Sequence, residues 1–287
     1  MKYIVSWSGG KDSTYMLFEL LRRGFPVDEI ICVDTTIEFP EMYLHQQEVE
    51  NRLFSDFSLK VTHLRPEHNF EYYLFEYTKQ RGKYAGMQGL GWPNPNFIWC
   101  RGYLKLGVID KYLRSKYGFG NYTSYIGIAF DEISRYDFSD LSGLKSYPLI
   151  SWRVTELEAL KGCYDLGFDF QGLYNRFFRV SCWCCPLQSI KELYMLYSFY
   201  PHLWRRLRDL DSRQRNRFRK DYSLEELEVR FSESLCYASS LETKVSEPAC
   251  DRETKVSEPA CDRETKVSEP ACDRETKVPR AGLRSGN

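Results

Sequence analysis

The sequence predicts an α/β fold, a doubly wound parallel sheet, from three observations. Apolar runs of strand length alternate with segments whose apolar residues recur at helical spacing. Polar clusters, first among them Ser8-Gly9-Gly10-Lys11-Asp12-Ser13, follow directly on the strand-like runs, where open α/β sheets bind their ligands. At 287 residues and 43% hydrophobic content, the chain is long enough to bury a substantial core.

Tyr3-Ile4-Val5 reads as a short buried strand, and Met16, Leu17, Leu20 and Leu21 as the inner face of a helix that stops at Gly24. Between them, Ser8 to Ser13 suits an anion. Two glycines allow close backbone approach, the first amides of the helix point at the ligand, and Lys11 neutralises it. The spacing is not that of a Walker loop. The bland alternative is ordinary turn chemistry.

Glu29 to Val33 reads as a second strand ending at Asp34, Met42 to Leu53 as a helix with Val49 and Leu53 inward, and the region near Val61 as a third strand. Residues 82 to 97, rich in Gly, Asn, Pro and aromatics, form an irregular loop able to close over a ligand, before a helix around Leu104, Ile109 and Leu113. Tyr125 to Ile128 reads as a further strand running into Asp131, Glu132 and Arg135.

From Ile190 to about Lys220 the pattern is helical, and Ser223 with Glu226 makes a capping box for one more helix. Arg205, Arg206, Arg208, Arg213, Arg215, Arg217 and Arg219 mark either a solvated face or a nucleic-acid contact; aromatics are hardly interleaved among them, Phe218 alone, which favours the solvated face. The tail repeats Glu-Thr-Lys-Val-Ser-Glu-Pro-Ala-Cys-Asp-Arg three times, from Glu242, Glu253 and Glu264, and a fourth copy begins at Glu275. With a proline and almost no large apolar side chain per copy, it is expected to be disordered. One thiol per repeat (Cys250, Cys261, Cys272) makes a poor preformed metal site. The expected domains are residues 1–190, nucleotide-binding; 191–238, a helical extension; and 239–287, the repeat tail.

Forty basic and forty acidic residues cancel, so overall charge predicts neither a nucleic-acid binder nor an acidic-surface protein. No run of 18 apolar residues exists and the first residues enter a strand at once, from which a soluble, cytoplasmic protein without a membrane partner is expected. Ten cysteines in a chain of this size point to thiols, metal or an iron–sulfur cluster rather than a disulfide scaffold.

The Ser8–Ser13 loop resembles the pyrophosphate-binding loop (PP-loop) of adenine nucleotide α-hydrolase-like proteins, and further motifs resemble the 3′-phosphoadenosine-5′-phosphosulfate (PAPS) reductase family in the family's order. Asp34-Thr35-Thr36-Ile37-Glu38-Phe39-Pro40-Glu41 resembles its Asp-Thr-Gly-x-x-Phe-Pro-Glu, with Thr36 where glycine is usual. Cys100-Arg101 with Leu104-Lys105, Gly127 to Arg135, Pro148-Leu149-Ile150-Ser151-Trp152, and Cys182-Trp183-Cys184-Cys185 preceded by Gly172-Leu173-Tyr174 follow.

The resemblance implies a Rossmann-like sheet holding ATP or a PAPS-like adenine nucleotide at Ser8, Gly9, Gly10, Lys11, Asp12, Ser13 and Asp34, with Mg2+. Arg101, Lys105 and Arg135 would meet phosphate oxygens, and Glu132 would orient an arginine or the metal. Cys182 and Cys185 can hold a metal, with Cys100 and Cys163 as the further ligands and Cys184 as substitute; four thiolates suit either Zn2+ or a 4Fe-4S cluster, and the resemblance leans to the cluster. The alternative is buried cysteines acting as small hydrophobes.

Two departures bear on the reaction. The reductases' C-terminal Glu-Cys-Gly-x-His segment does not occur, and Ala129 stands where the family's Gly-x-Arg supplies a cation. The expected function is therefore ATP-dependent adenylation or sulfur transfer with release of pyrophosphate. The alternatives are PAPS or adenylylsulfate reduction by another thiol, and a non-enzymatic nucleotide- or cluster-sensing protein whose arginine-rich helix binds tRNA or DNA, partners of several enzymes in this group.

Overall fold

The computed structural model describes residues 1–135 and 144–233, the side chain of Arg135 excepted. The repeat tail, with its expected disorder, Cys236 and the repeat cysteines lie outside the described residues.

Five strands form one parallel sheet: β1 (Lys2–Ser6), β2 (Glu29–Val33), β3 (Val61–Leu64), β4 (Tyr122–Ile126) and β5 (Lys145–Ser146), in the order β3-β2-β1-β4-β5. The order reverses between β1 and β4, which opens a crevice at their carboxyl ends. Neighbouring residues Ile4 and Val5, and Ile30, Ile31 and Cys32, are all buried, because helices cover both faces of the sheet.

One face carries α1 (Lys11–Arg22), packed through Met16, Leu17 and Leu20, and α2 (Pro40–Phe57), whose Met42, His45, Gln46, Val49 and Leu53 recur at helical spacing. Pro40 occupies the first turn of α2, so the helix starts earlier than Met42. After α3 (Phe70–Phe75), α4 (Trp99–Arg101) passes through a π-helical segment, Gly102–Leu106, into α5 (Gly107–Tyr117), which covers the second face with Leu113 against Ile4, Ile31 and Leu64. Glu29 ties that face together: Tyr112, Tyr117, Lys116 and Thr62 all donate to its carboxylate, and these bonds outweigh burial and hold its pKa to about 2.

β4 runs over Tyr122–Ile126, so Gly127 and Ile128 belong to the turn beyond it. Short α6 (Pro148–Ser151) precedes α7 (Glu156–Asp165), which starts at a capping box of Thr155 and Glu158. After α8 (Leu173–Arg176), the long helical pattern divides: α9 (Ile190–Phe199) ends at Tyr200, and Pro201 starts α10 (Pro201–Ser212). α10 does not continue to Lys220, because Asp211 accepts bonds from the Phe218 amide (2.7 Å) and the Trp92 indole (2.8 Å), which folds the chain back. The Ser223–Glu226 box opens a helix over 224–233. Leu196, Leu207, Leu227 and Phe231 share one hydrophobic core with Trp92, Trp99 and Phe177, so the segment after 190 packs as part of the same body. Among the described residues no helix is long and apolar enough to cross a membrane.

Candidate functional site

The loop after β1 builds an anion cradle from its own bonds. Gly9 has φ +82°, and a Cβ there would meet Gln46 Nε2 at 2.8 Å, so this position requires glycine. Gly10 differs: its φ is −71° and a Cβ would find nothing nearer than 3.6 Å, so its missing side chain leaves room for a ligand rather than for a neighbour. Ser13 Oγ accepts from the Ser8 amide (3.2 Å) and donates to the Gly10 carbonyl (3.0 Å), closing the loop over the first turn of α1.

Tyr174 caps the loop from α8. Its hydroxyl accepts the Lys11 amide at 3.0 Å, holding a donor that an anion can take over. Lys11 Nζ bridges Asp12 (3.0 Å) and Glu156 (2.9 Å). Burial opposes its charge, but the two carboxylates prevail and hold its pKa above the ordinary lysine value. Burial pushes Asp12 up to about 6 even though Lys11 pulls it down.

Asp12, Glu132 and Glu156 offer one carboxylate oxygen each, all within 4.8 Å of one another. Hard oxygen donors at this spacing could hold a divalent cation. Glu156 is placed by the start of α7, where its amide donates to Asp131 at 3.0 Å; Glu132 sits in the 3-10 turn Phe130–Arg135. The side chain of Arg135 lies outside the described residues. Gly127 lets β4 meet the loop, since a Cβ would lie 2.8 Å from Ser13 Cα.

Beside this stands a second centre at the end of β2. Asp34 does not cap a helix; it accepts from the Thr36 amide (2.9 Å) and Tyr43 hydroxyl (3.0 Å) and pairs with Arg65 (3.0 Å). Thr36 has φ +64°, which explains physically why glycine suits the position. Thr36→Gly is expected to stabilise the fold by about 0.5–1 kcal/mol, relief of left-handed strain less the added chain entropy; an unchanged midpoint in urea denaturation would contradict this.

Glu38 gathers the rest. It accepts from Thr35 Oγ1 (2.9 Å), Lys105 Nζ (3.2 Å) and Cys182 Sγ (3.7 Å). The Cys182–Cys185 turn closes through the Cys185 amide (3.1 Å) and is tied to β2's exit by the Trp183 amide donating to Ile37 (3.2 Å). Cys100, Cys182, Cys184 and Cys185 are neighbours close enough for each ionisation to oppose the others, and burial raises all four thiols above their ordinary pKa. Arg101 is exposed on α4.

Cys163 does not join them, which corrects the expected ligand set. It lies on α7 under the loop, donating to the Lys11 carbonyl at 3.3 Å, and burial raises its pKa steeply. Among the described residues no three cysteine sulfurs lie mutually within 4.8 Å.

The arginine-rich segment is largely spent on intramolecular pairs. Arg206 binds Glu71 (2.8 Å), Arg208 binds Glu228 (3.1 Å), Arg213 binds Asp209 (3.5 Å) and Arg219 binds Asp221 (2.7 Å).

Sequence reasoning missed Glu156, Tyr174 and Glu38 as site residues. The Thr155-x-x-Glu158 pattern, not singled out in the sequence, signals where a helix begins but not what it faces. Tyr174 and Glu38 stood inside motifs already singled out, without a partner to name.

The sequence pattern of the phosphoadenosine phosphosulfate reductase domain matches residues 2–188. An uncharacterized protein of Methanocaldococcus jannaschii is 24% identical over 217 residues, covering 70% of this chain and 39% of that protein. An uncharacterized nin region protein of Escherichia phage lambda is 28% identical over 169 residues, covering 52% of this chain and 58% of its own length. The chain thus spans about two-fifths and three-fifths of these relatives. Among solved structures, the U34-tRNA thiolase NcsA of Methanococcus maripaludis, with its 4Fe-4S cluster, aligns over 74% of this chain and 72% of its own at 16% identity and a TM-score of 0.37.

Proposed function

The chain belongs to the phosphoadenosine phosphosulfate reductase family, and from that premise we propose that it is an ATP-dependent enzyme of adenylation or sulfur transfer, releasing pyrophosphate. The observation that carries this reading is the carboxylate group Asp12, Glu132 and Glu156 directly beside the phosphate cradle. Three carboxylates would repel a nucleotide's phosphates unless a cation stood between them. Lys11 supplies one positive charge, and Mg2+ bound with ATP would supply the rest.

In this reading the amides at the start of α1 and Lys11 hold the leaving pyrophosphate, and charge that develops on it meets donors already in place. Tyr174 keeps the Lys11 amide oriented until a phosphate oxygen replaces its hydroxyl. Asp34, at the end of the neighbouring strand, would accept from the ribose hydroxyls. Asp131 positions Glu156 through its amide, so the cation site depends on a residue that does not itself ligate.

Cys100, Cys182 and Cys185 are the residues we assign to sulfur chemistry. Their thiols are held protonated by burial, so they would ionise on binding metal, and a 4Fe-4S cluster would take each of the three on a different iron. Such a cluster would supply thiophilic iron for handling sulfide. Lys105 and Glu38 would set the charge beside it.

Calorimetry tests the nucleotide reading. ATP binding is expected to be at least about tenfold tighter with Mg2+ than with a chelator present, and Glu156→Gln is expected to remove most of that difference. Absence of ATP binding in both conditions sinks the proposal, as would sulfite release from PAPS with thioredoxin.

A further inference from the structure

Residues 77 to 109 contain five basic residues, Lys79, Arg81, Lys83, Arg101 and Lys105, and no acidic one. The structure gives this stretch a defined shape. Thr78 pairs with Gln88 as an antiparallel bridge, the Lys79 amide donates to Met87 (2.9 Å) and the Gly86 amide to Lys79 (2.8 Å), so residues 79 to 87 form the end of an arm. Gly89 roots the arm: its φ is +74°, and a Cβ there would lie 2.6 Å from the Leu74 carbonyl oxygen.

The arm carries Lys79, Arg81 and Lys83, none of which has a carboxylate partner among the described residues. Lys79 and Lys83 instead stand 5.4 and 5.8 Å from the Tyr84 ring. Beneath the arm lies a cavity of about 670 Å³ bounded by Tyr77, Phe97 and Tyr103, which continues past Phe97 and Tyr103 into a groove of about 1250 Å³. Arg65 and Lys111 line that groove, with Glu67 its one acidic lining residue. Arg65 is also the partner of Asp34, so the groove ends at the candidate nucleotide site.

Large aromatic rings face solvent here: Tyr84 is 54% exposed, Phe97 47% and Tyr103 40%. Tyr103 is fixed in place by stacking on Tyr73 at 4.9 Å and contact with Tyr77 at 5.4 Å. A patch of this kind on a folded surface needs an occupant. Unpaired cations beside exposed rings, of which Tyr103 is held in place, match a phosphate backbone with unstacked bases, and an apolar partner would leave the cations without counter-charge.

We propose that this face binds single-stranded nucleic acid, with Lys79, Arg81 and Lys83 on the phosphates and Tyr84, Phe97 and Tyr103 offering rings to the bases. The assignment does not depend on the chemistry at the nucleotide site. It also moves the nucleic-acid contact away from the arginine-rich helix, whose charges are mostly paired internally.

The test is fluorescence anisotropy of the full chain, without ATP, with labelled oligouridylate and oligothymidylate of about twelve nucleotides, the matching duplex, and polyglutamate as an acidic polymer lacking bases. Single strands are expected to bind at least about tenfold more tightly than duplex or polyglutamate. Replacing Lys79, Arg81 and Lys83 together by Gln should lower the dependence of log K on log salt by about 2, at roughly 0.7 per phosphate contact. Tyr84→Ala and Phe97→Ala should each weaken binding about tenfold and leave that salt slope unchanged. Comparison of the two single strands decides between RNA and DNA, and either supports the assignment. Binding of polyglutamate as tight as that of the oligonucleotides would assign the face to an acidic protein and overturn it. Single-strand binding unaffected by both the triple and the aromatic variants overturns it too. Thermal melting and ATP calorimetry on each variant separate loss of this face from loss of the fold or of the nucleotide site.

Discussion

Lys11→Met is expected to lower pyrophosphate release from ATP about 10²- to 10³-fold, the cost of removing one preorganised charge from a site where negative charge develops. The side chain is nearly buried and has two carboxylate partners, so no solvent cation stands ready at the same point. Its loss removes the cation that Asp12 and Glu156 share, in a group whose three carboxylates lie within 4.8 Å of one another. If Lys11 acts on the leaving group, kcat falls while KM changes little; if it serves only to hold ATP, KM rises and kcat is retained. Turnover measured across ATP concentrations separates the two, and an unaltered kcat contradicts the role assigned here. The methionine keeps the aliphatic volume of the stem, and thermal melting of the variant separates loss of chemistry from loss of the fold.

Gly127→Ala should destabilise the protein by about 2–3 kcal/mol and weaken ATP binding together. The added Cβ would lie 2.8 Å from Ser13 Cα and 2.9 Å from Ser13 N, both backbone atoms of the first turn of α1. Backbone cannot rotate away as a side chain can, so the turn must move, at the cost usual for overpacking. Gly10→Ala is the matched comparison. A methyl group there meets only Ser8 Oγ at 3.6 Å and Tyr174 hydroxyl at 3.7 Å, in a backbone conformation any residue adopts. Its melting temperature should hold while ATP affinity drops about tenfold, because the methyl group fills the cradle. Equal loss of stability in both variants would mean that Gly10 serves packing, and the cradle assignment would fail.

Much of this architecture is legible in residue order. Strands β1, β2 and β3 and helix α1 announce themselves by apolar runs and spacing, and the Gly9-Gly10 turn marks the crevice before any topology is known. The helix from Ile190 was legible only in part. The pattern ran on to about Lys220, whereas the chain breaks at Pro201 and stops at Ser212, where Asp211 bonds Phe218 and Trp92, a partner 119 residues away in sequence. Cys163 shows the same limit. Its residue type and spacing suit a metal ligand as well as Cys100 does, and only the packing of α7 under the loop separates them.

By itself, then, the sequence determined the alternation of strands and helices, the phosphate loop at Ser8 to Ser13 and the membership of a family, because these depend on local spacing and on short contiguous motifs. Tertiary structure alone decided which charges meet. Glu156 reaches Lys11 across 145 residues, Glu38 reaches Cys182 across 144, and the arginines of α10 find carboxylates that no spacing rule connects to them. Charge and hydrogen bonding act through a few ångströms of space, whereas hydrophobic period acts along the chain, so the first is fixed only once the second has folded it.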